Sequence, residues 1–433
     1  MRAGPAVDSD HGVLTDPQAG LLESAVEAMG GVLREWSVTY IDHRPRRDTT
    51  VAYRARVEWL DGESTETFGA RLQSDPADSI GFASTASDEA GRDAGVLRLS
   101  DGDTEVQVWR FPADPLLPSL SAMYDRESVA ELLRSVGVDP AGAQLRILGY
   151  RPCRRAVIEV ATPLTRLFVK VLRPGRAAGM HRRLSLTRAA GLPTPRSLGW
   201  SDGGLVVLEP LPGLELREAL WRFGPRACTP EALAEILERL PAEFANLPRR
   251  ASWSKSAMHY ASVIASVAPP LGERAESLAT RVTAGLEGDD GAEPVHGDFY
   301  EAQLLTADGK ITGLLDIDNA GPGNRVDDLA CLLAHMSVLV VMAPSSSDGV
   351  RAALADWTAW FDHEVDPRQL RVRAAGVALS LATGPHRTQE PGWREAIANR
   401  VGLAEQWFAA ASARSQLNFE RALIRGSGPS HLD

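Results

Sequence analysis

Apolar residues near the start of the chain recur with two different periods. Leu21, Leu22, Ala25, Val26, Met29, Val32 and Leu33 fall at helical spacing and predict a helix over 17–35, entered at Asp16-Pro17. Strand-like runs follow at 36–41, 50–60 and 65–72. A hairpin then folds at Asp101-Gly102, with Leu97 and Leu99 alternating along one arm and Val106 and Val108 along the other. The stretch 73–93 is rich in Ser, Asp, Ala and Gly and reads as a loop. A break at Phe111-Pro112-Ala113-Asp114-Pro115 puts a domain boundary near residue 125, where a helix over 127–136 begins.

From 144 to 209 the pattern is strand-rich, with runs at 144–149, 156–161, 166–172 and 205–209 and one helix near 177–190. Beyond 215 the periodicity is helical, at 215–222, 230–246, 254–266, 272–286, 325–342, 348–361, 366–382 and 392–413. Two short strands at 303–306 and 311–315 interrupt it, joined by an Asp308-Gly309 turn. The tail 426–433 reads as disordered. The expected organisation is an α+β cap at 1–125, a strand-rich unit at 126–211 and a helical unit at 212–425. One short echo links the first two. Arg44-Pro45-Arg46-Arg47 and Arg151-Pro152-Cys153-Arg154-Arg155 each precede a strand, either as a degenerate copy or by chance in an Arg-rich chain.

Composition removes several classes of function. With 433 residues, 44% hydrophobic and 24% charged, the chain is an ordinary globular sequence. Its net charge of −11 argues against a general nucleic-acid binder. The apolar run from Cys331 to Pro344 contains His335 and Ser337 and is too short to cross a bilayer. The N-terminus has no secretory pattern. Cys153, Cys228 and Cys331 share no metal-ligand spacing, which suits a reduced, cytoplasmic protein with no membrane partner. Among 46 basic residues only Lys170, Lys255 and Lys310 are lysines. Lys255 and Lys310 fall in polar stretches, whereas Lys170 interrupts the apolar run Leu167–Leu172. A compact point charge kept there in an arginine-biased chain asks for a chemical reason.

The densest chemistry lies in His296-Gly297-Asp298, with Gln303 five residues beyond the aspartate, then Asp316 and Asp318, then Asp327-Asp328-Leu329-Ala330. Phosphoryl transfer needs one carboxylate to accept the attacking hydroxyl's hydrogen, and hard oxygen donors for Mg²⁺ on the phosphates. A hairpin between Gln303 and Asp316 would turn both toward one ion. Lys170 would add a cation for the α- and β-phosphates.

This ordered set resembles the aminoglycoside phosphotransferase / choline kinase family over roughly 140–410, with some similarity to its maltokinase/glucosamine-kinase branch. The resemblance implies a bilobal, protein-kinase-like α+β fold, preceded here by the cap. It also implies an ATP-dependent kinase that phosphorylates a hydroxyl of an amino sugar, sugar or aminoglycoside, with Mg²⁺. By that resemblance Asp298 is the catalytic base, and Gln303 and Asp316 are metal ligands. Asp318 is either a ligand to a second Mg²⁺ or a turn cap. Lys170 is the phosphate lysine, Arg151, Arg154 and Arg155 lie in the phosphate loop, and Glu209 to Leu211 meet adenine. Asp328 braces the catalytic loop, and His296 shapes that loop in preference to acting as a base. Tyr300 and Glu301 sit where an acceptor would approach, or are simply solvated.

Three positions depart from the family pattern. Gln303 stands where most members have Asn, the helix at 177–190 has no Glu for Lys170, and Cys153 stands where relatives often have Gly. Two rival readings remain at this level. One is a pseudokinase acting as a nucleotide- or partner-binding module, and the other is a metal-dependent hydrolase, which the absence of a His-Asp cluster disfavours.

Overall fold

The computed structural model describes residues 14–16, 20–45, 47–73, 95–101, 104–286, 288 and 290–412. The expected loop at 74–93, most of the Asp101-Gly102 turn and the expected tail at 426–433 lie outside the described residues. The chain divides into two compact units: Met1–His181 with Ser197–Glu209 and His386–Pro391, and Arg182–Arg196 with Pro210–Pro385 and Gly392–Asp433. The first is rich in β-sheet and the second is helical.

The helix expected over 17–35 is shorter. It spans Leu21–Ala28, buries Leu22, Ala25 and Val26, and is capped by Met29. Gly30 then takes a left-handed φ of 85°, and a Cβ on Gly31 would lie 2.7 Å from the Trp59 ring. The glycine pair therefore ends the helix against a packed indole, and Val32 and Leu33 open a strand instead.

Two five-stranded antiparallel sheets form the first unit. One comprises β1 (Val32–Arg44), β2 (Asp48–Trp59), β3 (Gly62–Gln73), β4 (Val96–Asp101) and β5 (Thr104–Arg110), in the order β1-β2-β3-β5-β4. The other comprises β6 (Gln144–Arg151), β7 (Arg155–Ala161), β8 (Arg166–Leu172), β9 (Ser197–Trp200) and β10 (Leu205–Leu208), in the order β6-β7-β8-β10-β9. The two orders are the same. The hairpin closures also correspond, Arg44 pairing with Asp48 and Arg151 with Arg155. Carried across the sheets, this register sets Val51 beside Ile158, Ala70 beside Val169 and Val108 beside Val207. All six are fully buried, in two separate apolar clusters. The echo of Arg-Pro segments is thus the visible remnant of a repeated sheet topology.

Each sheet buries one face under a helix, as half-wetted antiparallel sheets do. Leu21–Ala28 covers the first. Arg126–Ser135 covers the second, entered through Asp125, whose carboxylate accepts from Ser128 N at 2.8 Å.

The helical unit follows the predicted periodicity closely. Its helices include Leu216–Phe223, Pro230–Glu238, Ala257–Val267, Gly272–Gly285, Arg325–Met342, Asp348–Glu364, Pro367–Leu381 and Trp393–Ala409. Caps come from the expected residue types: Thr229, Asn324 and Asp366 each accept a first-turn amide. A small hairpin, β11 (Leu304–Ala307) with β12 (Lys310–Leu314), carries the segment between Gln303 and Asp316. Among the described residues no helix is long and apolar enough to cross a membrane.

Candidate active site

In the helical unit, one buried imidazole organises the His-Gly-Asp loop. His296 is fully buried, its Nε2 lying 2.9 Å from Leu315 O while its Nδ1 accepts from Asp298 N at 3.3 Å. The ring therefore ties the loop bearing Asp298 to the strand end bearing Asp316. Gly297 between them has φ +79°, and a Cβ there would lie 2.7 Å from Asn319 O, so only glycine fits. Structure thus agrees with a shaping role for His296.

Asp328 secures the same loop from below. It lies in the first turn of helix Arg325–Met342, is 1% exposed, and accepts from His296 N at 2.7 Å and Gly297 N at 2.8 Å. Burial pushes its pKa up to about 7, against the pull of those two amides and with added repulsion from Asp327 and Asp298. A carboxyl whose folded pKa is raised stabilises the fold fully at low pH and loses that contribution as pH rises through about 7. Asp328→Asn keeps only one acceptor for two amides. It is expected to lower stability by about 1–3 kcal/mol and to flatten the pH dependence across that window, read from urea unfolding.

The Asp298 carboxylate accepts from Trp253 Nε1 at 3.1 Å. This contact was not visible in the sequence, because Trp253 lies 45 residues upstream with no periodic relation to the loop. Four other tryptophans of this unit differ in burial. Trp357 and Trp407 are fully buried, whereas Trp360 and Trp393 are half-buried.

Gln303 and Asp316 come together as the hairpin expectation required. Gln303 is nearly buried. Its Nε2 donates to Tyr300 Oη at 3.0 Å and reaches Asp316 Oδ2 at 3.4 Å, and Leu315 N donates to its carbonyl at 2.8 Å. Asp316 has a left-handed φ of 54°, which turns its carboxylate out of the strand line, and Asp318 follows in the short helix Ile317–Asn319. Tyr300 stacks on His335 with centroids 4.1 Å apart. Burial raises its phenol pKa, and Asp298, Glu301 and Asp316 all add to that rise.

Glu301 is neither solvated nor turned toward an acceptor. It is fully buried and paired with Arg217 NH2 at 2.9 Å; burial raises its pKa and Arg217 opposes the rise. Next to the loop, still within this unit, lies a pocket of about 180 Å³. Trp253, Tyr260, Arg250, Asn319 and Asp327 line it together with Gly297.

The remaining candidates, apart from Leu211, belong to the sheet-rich unit. Lys170 is in β8, the central strand of its sheet, facing Val157 on one side and Val206 on the other. Lys170 is therefore not on an edge strand. Arg151 ends β6 and Arg155 begins β7. Between them Cys153 adopts φ 59°, the conformation glycine would take, yet is buried. Its amide donates to Asp114 Oδ2 at 2.7 Å, and Arg154 pairs with Asp42 through Nε at 2.8 Å and NH2 at 2.6 Å. Glu209 follows β10 directly, and Leu211 lies two residues on, in the helical unit.

A family model described as the phosphotransferase enzyme family matches residues 154–376. Among solved structures, a ternary complex of a thermostable mutant of aminoglycoside phosphotransferase APH(4)-Ia with ADP and hygromycin B is 15% identical. It covers 65% of this chain and 98% of its own, with TM-score 0.46. A choline/ethanolamine kinase family protein from Mesorhizobium loti is 16% identical over 69% of this chain and 99% of its own, with TM-score 0.45. Macrolide 2'-phosphotransferase MphH from Brachybacterium faecium is 19% identical over 64% and 98%, with TM-score 0.39. A search of curated proteins gives no match. With its model spanning just over half of the residues, the chain belongs to the phosphotransferase enzyme family.

Proposed function

We propose that this protein transfers the γ-phosphoryl group of ATP to a hydroxyl of a small sugar-like acceptor. The observation that carries the reading is the double hydrogen bonding of His296, which links the Asp298 loop to the strand end that presents Asp316. One carboxylate is thereby held on the same scaffold as a second carboxylate with an amide beside it.

The donor set suits Mg²⁺. Asp316 supplies a hard oxygen 3.4 Å from the Gln303 amide nitrogen, the Gln303 amide would add its own oxygen once turned toward the ion, and Asp318 lies two residues on. Among the described residues no group of three His, Cys, Asp or Glu side chains gathers to cage a metal. That is the pattern for an ion held by one or two protein ligands and completed by phosphates. When bound, the ion would neutralise charge on the transferring group. Asp298 would accept the hydrogen bond of the acceptor hydroxyl and aim its oxygen, since a loose transition state asks mainly for position and charge balance. Lys170 would pair with the α- and β-phosphates, and Glu209 to Leu211 would meet the adenine. Arg151 and Arg155 would reach the phosphates, whereas Arg154 would first have to leave Asp42. The buried thiols Cys153, Cys228 and Cys331 suit a cytoplasmic setting.

The pocket beside Gly297 fits an acceptor of about one sugar ring. It is smaller than the roughly 300–1,000 Å³ of drug-sized sites, and it offers an aromatic wall with polar neighbours. Trp253 would then serve both the pocket and the base. Trp253→Phe keeps the ring and removes the donor. It is expected to lower kcat about tenfold with the nucleotide KM unchanged, as the loss of one charge-assisted hydrogen bond implies.

The test is coupled ADP release with a panel of amino sugars, sugars and aminoglycosides, each product checked by mass spectrometry. Acceptor-dependent release with a phosphorylated product supports the reading. Silence across the panel with intact nucleotide binding supports the binding-module alternative instead.

A further inference from the structure

The repeated sheet topology places a second set of phosphate-binding residue types in the first sheet. In the register that equates Asp48 with Arg155, Lys170 of β8 corresponds to Arg71 of β3: Val157 pairs with Lys170 and Thr50 with Arg71. Both side chains emerge on the face opposite the apolar cluster, since their neighbours Val169, Val171, Ala70 and Leu72 fill it.

Around Arg71 cations outnumber anions. Arg71 donates to Asp48 Oδ2 through NH2 at 2.9 Å and Nε at 3.3 Å, and Arg44 donates to the same oxygen. Arg154 takes Asp42, and Arg173 has only a carbonyl, Cys153 O, at 2.6 Å. These four guanidiniums meet two carboxylates, in a chain whose net charge is −11. The surplus is felt locally: burial lowers the Arg173 pKa first, Cys153 opposes that, and Arg71, Arg154 and Arg44 lower it further.

The same face leaves polar atoms unanswered. Arg44 Nε, Asp48 Oδ1 and Gln107 Oε1 are buried without a hydrogen-bond partner, although Asp48 is 5% exposed and Gln107 8%. Gln107 sits directly across from Arg71 in the β3–β5 ladder. A desolvated excess of donors and positive charge, with two idle acceptors beside it, is costly unless a ligand completes it.

We propose that this face, formed by Arg44, Asp48, Arg71 and Gln107 with Arg154 and Arg173, binds a phosphorylated, hydroxyl-bearing small molecule. The phosphoryl oxygens would take the guanidinium donors, for which arginine geometry is suited. Hydroxyls of the same ligand would donate to Asp48 Oδ1 and Gln107 Oε1. A sugar phosphate has both features, and free phosphate has the first alone.

Calorimetry without nucleotide, at constant ionic strength set with sodium chloride, separates the possibilities. Glucose 6-phosphate is expected to bind saturably at one site per chain, inorganic phosphate more weakly, and glucose not at all. Arg71→Gln and Arg173→Gln are each expected to weaken glucose 6-phosphate at least tenfold, while Lys170→Ala leaves it unchanged. If circular dichroism shows that either arginine variant fails to fold, Gln107→Leu takes its place, with an expected severalfold loss for glucose 6-phosphate. Absence of saturable binding, or a loss produced by Lys170→Ala and not by Arg71→Gln, overturns the proposal. Neither outcome bears on acceptor-dependent ADP release, so the two readings fail separately.

Discussion

Replacing Asp298 with alanine is expected to lower kcat by about 10²–10⁴-fold, the range for loss of a positioned acid–base group. MgATP affinity should stay within about twofold, because Gln303 and Asp316 are held independently. Leu315 N bonds the Gln303 carbonyl, and the imidazole of His296 still reaches Leu315 O. The loop itself should survive, since Asp328 holds the amides of His296 and Gly297 whatever follows them. Turnover measured beside calorimetric nucleotide binding checks this. A variant that loses both together would mean that Asp298 belongs to the nucleotide site, not to the acceptor side.

Asp316→Ala should show the opposite division. Its carboxylate lies 3.4 Å from the Gln303 amide, and its left-handed backbone presents it beyond the end of the β11–β12 hairpin. Outer-shell changes around metals commonly reduce affinity about 10–100-fold, so loss of a direct ligand should reach at least the upper part of that range. The expected result is MgATP binding weakened about 100-fold, with ATP binding in EDTA unchanged from wild type. Equal weakening with and without Mg²⁺ would show that Asp316 acts through the fold and not through the ion.

Much of this arrangement is legible in the sequence alone. Helical periodicity beyond residue 215 reports amphipathic faces packed on one core, and cap residues such as Thr229 and Asp366 mark their starts. The hairpin after Gln303 is readable from Asp308-Gly309, and it brings Asp316 beside Gln303. What escaped were features set by packing between distant segments. Apolar spacing over 17–35 is helical throughout, yet Gly30 turns left-handed, Trp59 and Val57 leave no room for a side chain at residue 31, and a strand begins at Val32. Glu301 looks like a solvated loop carboxylate until Arg217, 84 residues earlier, is folded against it. Trp253 reaches Asp298 across 45 residues, and nothing in local sequence signals it.

The Arg-Pro echo shows how weak sequence likeness can carry real architecture. Only a few residues match, because each sheet fills its own core, Tyr53 and Phe68 standing where Val160 and Leu167 stand in the other. Strand order and register persist where side chains have diverged. Polar replacements on the opposite face, Arg71 for Lys170 among them, then give the first sheet chemistry of its own.

Phosphorus-31 NMR of the wild-type protein mixed with MgATP and the best acceptor from the panel tests the central claim most directly. Loss of the γ-phosphate resonance should be matched, one for one, by a phosphomonoester signal, and both changes should be absent in Asp298→Ala. Inorganic phosphate as the sole new signal, or an unchanged spectrum, would contradict phosphoryl transfer to a hydroxyl.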